Sequence, residues 1–280
     1  MAAGRFCFCA TLLFFSLLSS PGGTLAQFRT TVGDLEVELY DADKPITVQN
    51  FLHYVQGGLY TNMFMHRVVT NFIIQGGGIF TTNRGTTNWA LYYIPTFPPI
   101  TNEFKVGKFY SNVYGTIAMA KTSDPNSATS EFFFNLTNNA SSLDNTNNSG
   151  GFTVFGHVIA GTNILNRFKV GATNRVVKEV NLGGVLAETP VIYAATNIIH
   201  DSDFIYVDIS LLQVAVKTLP GSSREISWNS ATGLTNVVEF TTNFPPVWST
   251  LALTNGTGAR MAIVDGSSTP QRFYRVRVQY

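Results

Sequence analysis

The run Met65–Gly78 sets a cation (Arg67), an aromatic ring (Phe72), two aliphatics (Ile73, Ile74) and an amide (Gln75) close together before three glycines. A half-buried strand alternates apolar and polar residues, and a fully buried one would not carry Arg67 and Gln75 near its two ends. The run therefore holds something polar against something apolar. In an extended segment residues two apart share a face, so Ile73 and Gln75 point one way and Phe72 and Ile74 the other. The glycines then let the backbone turn sharply or come close to a ligand.

Composition points to β structure as well. Only 12% of the 280 residues are charged and 45% are hydrophobic, so solubility rests on Asn, Thr, Ser and Gly, which favour turns and strands over long helices. A net charge of +1 leaves no broad basic field for nucleic acid or an anionic membrane. Leu35, Val37 and Leu39 alternate with Glu36, Glu38 and Tyr40, the period of a half-buried strand. Pro45 can open a helix in which Val48, Phe51, Leu52 and Val55 share a face, with His53 off it, until Gly57 and Gly58 stop it. Gly115–Asn135 reads as strand, polar loop, strand. Ile79–Pro99 is too irregular to assign, and Asn138–Gly151, dominated by Asn, Ser, Thr and Gly, reads as an exposed loop. Phe152–Ile159 is a strand, Thr162 is placed to cap a short helix carrying Ile164, Leu165 and Phe168, and Pro190–Leu212 supplies closing strands.

The two ends differ in kind from this middle. Residues 1–26 read as an export signal: Arg5 is the positive charge, Phe6–Leu18 the apolar run, and Thr24-Leu25-Ala26 the small-residue cleavage site. The run is about 13 residues where about 20 are needed to span a membrane, so cleavage near Ala26 into a periplasmic or secreted form is expected. Both cysteines, Cys7 and Cys9, lie in this segment, so the mature chain has no thiol chemistry. From about Gln213 six short strand-like runs (215–219, 225–228, 237–241, 248–253, 260–264 and 273–278) are separated by Gly, Pro, Asn and Ser, the spacing of a small β sandwich. Arg272, Arg275 and Arg277 are expected on a solvated strand face there. The division is thus signal 1–26, main domain 27–212 and C-terminal β module 213–280.

Taken together, the run around Arg67, the stretch Gly115–Asn135 ending in Phe132-Phe133-Phe134-Asn135, Asn102-Glu103-Phe104 and Phe155-Gly156 resemble the cyclophilin family of peptidyl-prolyl isomerases, over roughly residues 28–212. The resemblance implies a mainly β fold, a closed antiparallel β barrel with two helices, followed by the C-terminal sandwich. It implies isomerisation of X-Pro bonds in proline-containing segments of exported proteins, by a monomer that needs no cofactor and no metal. Arg67 falls on the family's catalytic arginine, with Phe72 and Gln75 beside it. Ile73, Phe133, Leu143 and Phe152 fall on or near the proline pocket, and Met119, Ala120 and Glu131 on the groove. His66 is expected to be a satisfied structural histidine, and His157 and His200 have no ligand spacing. Glu131 stands where glutamine is usual, and its carboxylate can pair with Arg67 and weaken donation to the substrate. Ser142 stands where tryptophan is frequent, so cyclosporin-type ligands are expected to bind weakly; Ile73 and Phe152 replace a common methionine and histidine. The rival readings are a proline-peptide-binding module without turnover and a secreted scaffold or adhesive protein. No Gly-x-Ser-x-Gly and no mature cysteine support a hydrolase.

Overall fold

Alternation at residues 35–40 becomes a strand in the computed structural model, which describes residues 23–169, 177–192, 198–212, 214–230, 235–257 and 259–279. Most of the expected export signal lies outside these residues. Strands β1 (Leu25–Thr30) and β2 (Gly33–Leu39) pair antiparallel, and β2 buries Leu35, Val37 and Leu39 while its acidic residues reach solvent. Helix α1 (Pro45–Gln56) begins at its proline and buries Thr47, Val48, Asn50, Phe51 and Tyr54, leaving His53 exposed. There follow β3 (Arg67–Val69), β4 (Ile73–Gly76), β5 (Ile79–Thr82), β6 (Ala90–Tyr93), β7 (Thr116–Met119) and β8 (Phe132–Asn135). The stretch that resisted assignment therefore contains a hairpin, β5 paired with β6. Then come α2 (Ala140–Leu143), β9 (Val154–Ala160), α3 (Thr162–Leu165), β10 (Val177–Val180), β11 (Thr189–Ile192) and β12 (Val207–Leu212).

Eight of these strands form one antiparallel sheet in the order β12-β1-β2-β9-β7-β8-β4-β3. The sheet curls round a core in which Phe28 stacks on Phe51 and meets Phe132 and Phe134 edge-on. The expected barrel is not fully closed. Edge strands β12 and β3 do not pair with each other; the free edge of β3 bonds to the segment entering β11, through Val68 N–H to the Glu188 carbonyl at 2.7 Å. At this seam the preceding residues supply two bonds instead: Met65 N–H donates to the Ile205 carbonyl at 2.9 Å and Val207 N–H to the Met63 carbonyl at 3.0 Å. Among the described residues there is one long helix; in place of the second expected one are the single turns α2 and α3, the latter passing into a 3-10 turn at Asn166–Phe168. Gly161, with φ 79°, precedes α3, so Thr162 is its first residue and not its cap. Ile164, Leu165 and Phe168 are buried, as their spacing predicts.

All six C-terminal runs are strands: β13 (Val214–Thr218), β14 (Arg224–Asn229), β15 (Thr235–Thr241), β16 (Ser249–Asn255), β17 (Arg260–Asp265) and β18 (Phe273–Gln279). They form two separate three-stranded sheets, β13-β14-β17 and β16-β15-β18, that share a small cluster of Ile226, Trp228, Val238 and Val276. The arginines are not simply solvated. Arg275 faces Glu239 in the β15–β18 register, pairs with it at 2.5 Å and covers the Trp248 ring; Arg272 pairs with Asp265 at 2.6 Å and covers Phe240. In a chain with few charges, each of these two cations lies beside a carboxylate and an aromatic face. The Arg277 side chain lies outside those described. No helix among the described residues is long and apolar enough to cross a membrane.

Candidate active site

Strand period sorts the site from the core. Along β7 and β8, Ile117, Met119, Phe132 and Phe134 enter the curled sheet, while Ala118 and Phe133, with Ala120 beyond the end of β7, lie on the opposite face. Met119, expected in the groove, is therefore 2% exposed in the core and lines no part of the site cavity. In the β3–β4 hairpin Arg67 lies opposite Gln75, Val68 opposite Ile74 and Val69 opposite Ile73. Val68 and Ile74 go to the core and Ile73 to the outer face. Phe72 does not follow Ile74, because the turn at Asn71, with φ 60°, sets its ring beside Ile73. Its carbonyl is held by Leu136 N–H and by Asn139 Nδ2, both at 2.8 Å.

The Asn-rich segment is a support for the pocket rather than a free loop. Asp144 accepts from Asn112 N–H at 3.0 Å and from Asn112 Nδ2 at 2.8 Å, and the same Nδ2 donates to the Phe152 carbonyl at 2.9 Å. Phe152 N–H in turn donates to the Leu143 carbonyl at 2.9 Å. Leu143 and Phe152 are so fixed over Phe133, whose ring meets that of Phe152 edge-on at 5.9 Å.

These residues enclose an open cavity of about 360 Å³. Phe72, Ile73, Phe133, Leu143 and Phe152 make an apolar cup; Arg67, Gln75 and Glu131 make a polar side, and Ala120 completes the wall. Every expected site residue except Met119 thus lines one cavity. The polar side is a chain of contacts. Arg67 Nε donates to Glu188 Oε2 at 2.6 Å and Nη1 to Gln75 Oε1 at 3.4 Å; Gln75 Nε2 donates to Glu131 Oε2 at 2.5 Å. The carboxylate that pairs with Arg67 is therefore Glu188, and Gln75 stands between Arg67 and Glu131. Burial raises the Glu131 pKa, but hydrogen bonds from His66 and Gln75 and the nearby charges of His66 and Arg67 outweigh it and hold the group below its ordinary range. His66 Nε2 is 3.5 Å from Glu131, but its Nδ1 is buried without a partner, so this histidine is not fully satisfied. The glycines make room for this arrangement: Gly77 has φ +85°, and a Cβ on Gly78 would sit 2.8 Å from Glu131 Oε1.

Two site residues carried no local signal. Lys121 covers the Phe152 ring at 4.2 Å and donates to the Ser149 carbonyl; burial, partly countered by Asp124, pushes its amine down to about 8. Next to Ala120 in sequence, it reads as an ordinary surface lysine. Glu188 is 121 positions from Arg67. It arrives because β3 is an edge strand: Val68 N–H donates to the Glu188 carbonyl at 2.7 Å. Among the described residues no group of three His, Cys, Asp or Glu could hold a metal ion. A cation at the rim of an apolar cup suits a reaction that needs a polar environment and no bond cleavage.

Sequence comparison with known proteins supports the same view. The sequence profile of the family described as cyclophilin type peptidyl-prolyl cis-trans isomerase/CLD matches residues 25–185. A peptidyl-prolyl cis-trans isomerase of Acinetobacter baylyi is 39% identical over 51% of this chain and 71% of its own length. Peptidyl-prolyl cis-trans isomerase B of Escherichia coli is 38% identical over 54% of this chain and 87% of its own length. A solved Cryptosporidium parvum cyclophilin type peptidyl-prolyl cis-trans isomerase is 22% identical, with a TM-score of 0.44 over 67% of this chain and 98% of that one.

Proposed function

Since the chain belongs to the cyclophilin-type peptidyl-prolyl cis-trans isomerase family, we propose that its isomerase activity runs in the 360 Å³ cavity, with Arg67 as the electrostatic centre. Rotation about an X-Pro bond meets a barrier of about 18–20 kcal/mol because amide resonance is lost. In the twisted state the prolyl nitrogen becomes pyramidal and gains a lone pair. A fixed donor near it stabilises that state more than the planar ones, and removing roughly 7 kcal/mol gives about 10⁵-fold in rate. Phe72, Ile73, Phe133, Leu143 and Phe152 grip the proline ring, and Gln75, Ala120 and Glu131 border the peptide. The observation that carries this reading is that Arg67 Nη2, at the rim of the apolar cup, has no hydrogen-bond partner among the described residues, while Nε and Nη1 are held. The test is cis-trans exchange in a short Ala-Pro peptide, followed by NMR with catalytic amounts of the full chain. Exchange far faster than the uncatalysed tens of seconds is expected; shifted protein signals without faster exchange would instead describe a binding module.

The substrates in this reading are proline-containing segments of exported proteins, met in the periplasm or outside the cell. The support is the charge at Arg5 and the apolar run Phe6–Leu18. Leu25 and Ala26 pair within β1 and Thr24 is hydrogen-bonded to Asp41, so cleavage upstream of Thr24 keeps the strand whole, whereas a cut after Ala26 would not. N-terminal sequencing of exported protein tests this: a start before Thr24 is expected, and retention of the whole leader contradicts it. The isomerase domain in this reading runs from about Thr24 to Leu212, with 213–280 a small C-terminal β module.

A further inference from the structure

Beyond the proline cup, Arg67, Gln75 and Glu131 form a ridge shared with a second cavity of about 450 Å³. Its far walls are Glu188, Tyr93, Ile79 and Val185, from the β5–β6 hairpin and the segment before β11. We propose that this cavity is a subsite for a basic side chain of the peptide, a lysine or arginine within about three residues of the proline. The inference rests on the reading of the first cavity as the proline site.

Three observations select a cation. Two carboxylates outnumber the one guanidinium in the lining while His66 is neutral. Both carboxylates spend Oε2 on Arg67 or Gln75, and among the described residues Oε1 of each accepts no hydrogen bond, with both side chains 39% exposed. Two residues that line an accessible cavity therefore each keep an unpartnered acceptor, which an ammonium or guanidinium group can satisfy. Tyr93, 68% exposed, offers an aromatic face to the charge, and Ile79 and Val185 offer apolar surface to its methylenes. The shared ridge also sets the distance: a chain advancing about 3.3 Å per residue crosses from one cavity to the next in a few residues.

The test measures kcat/KM of the full chain on Ala-Pro peptides carrying lysine, its neutral isostere norleucine, or glutamate at each of the three positions on either side of the proline. At one or more positions lysine is expected to exceed norleucine by about fivefold and glutamate to fall below it, with the contrast shrinking at high salt. Glu188→Gln and Val185→Lys should each bring the lysine-to-norleucine ratio towards one, whatever they do to the norleucine rate; a ratio is insensitive to a general loss of turnover. If norleucine peptides are turned over but lysine gives no advantage at any position, or the advantage survives both substitutions, the subsite is refuted and the proline site stands. If norleucine peptides are neither turned over nor bound, the proline site fails and the subsite with it.

Discussion

Arg67 donates from Nε to Glu188 at 2.6 Å and from Nη1 to Gln75 at 3.4 Å, so the plane of its guanidinium is set before a peptide arrives. The two side chains are 40% and 39% exposed, and an ion pair so open to water adds at most about 1 kcal/mol to stability. In the proposed reaction its larger effect is orientation, because a donor that need not reorganise stabilises the twisted state most. Glu188→Ala is accordingly expected to lower kcat/KM on a neutral X-Pro peptide about tenfold. Glu188→Gln, which keeps an acceptor for Nε, should recover most of that rate. A faster Glu188→Ala enzyme would mean that the carboxylate restrains Arg67 instead of presenting it. Glu131, which stands where the family usually has glutamine, accepts from Gln75 in the way an amide oxygen would. It makes no direct hydrogen bond to Arg67, with Gln75 bridging the two, so the carboxylate leaves the cup and its cation in place.

At the scale of elements, what could be read from sequence was period and what could not was distance. The alternation of β2 follows from which side chains must be buried, and α1 buries Val48 and Phe51 of its expected face but Tyr54 in place of a fully buried Leu52 or Val55; the C-terminal strands follow instead from the turn residues between them, since β13 is exposed throughout. The same period shows why Met119 and Ala120 cannot both face the groove: neighbours in an extended chain point to opposite faces, and the larger one fills the core. The Asn-rich segment was opaque because asparagines that pin a pocket and asparagines that solvate a loop look alike until their partners are known. Asn139 holds the Phe72 carbonyl, and Asn112, far from the segment in sequence, ties Asp144 to Phe152. The short Asn102-Glu103-Phe104 motif has a similar explanation. Glu103, 1% exposed, accepts from Ile46 N–H at 3.1 Å and Thr47 N–H at 2.7 Å, taking the place of a local cap that α1 lacks. Its carbonyl accepts from the buried Lys44 at 3.0 Å. Burial lowers the Lys44 pKa, with the Glu103 and Asp43 charges opposing that shift.

For the whole molecule, the open seam of the curled sheet matters as much as its closed part. Because β3 is an edge strand, the segment entering β11 can bond to it, and that contact delivers Glu188 to Arg67 and builds the wall of the second cavity. A fully paired barrel edge at this point would leave no free N–H on β3 for the Glu188 carbonyl. The core face of the sheet thus carries stability, its outer face carries the cup, and its edge carries the electrostatics. The most direct test of this division is the rate of cis-trans exchange in an Ala-Pro peptide, measured by NMR with the full chain and with Arg67→Ala. Exchange at least about 100-fold slower in the variant, with peptide binding retained, is the predicted result. Arg67→Ala exchanging the peptide as fast as the unaltered protein would contradict it.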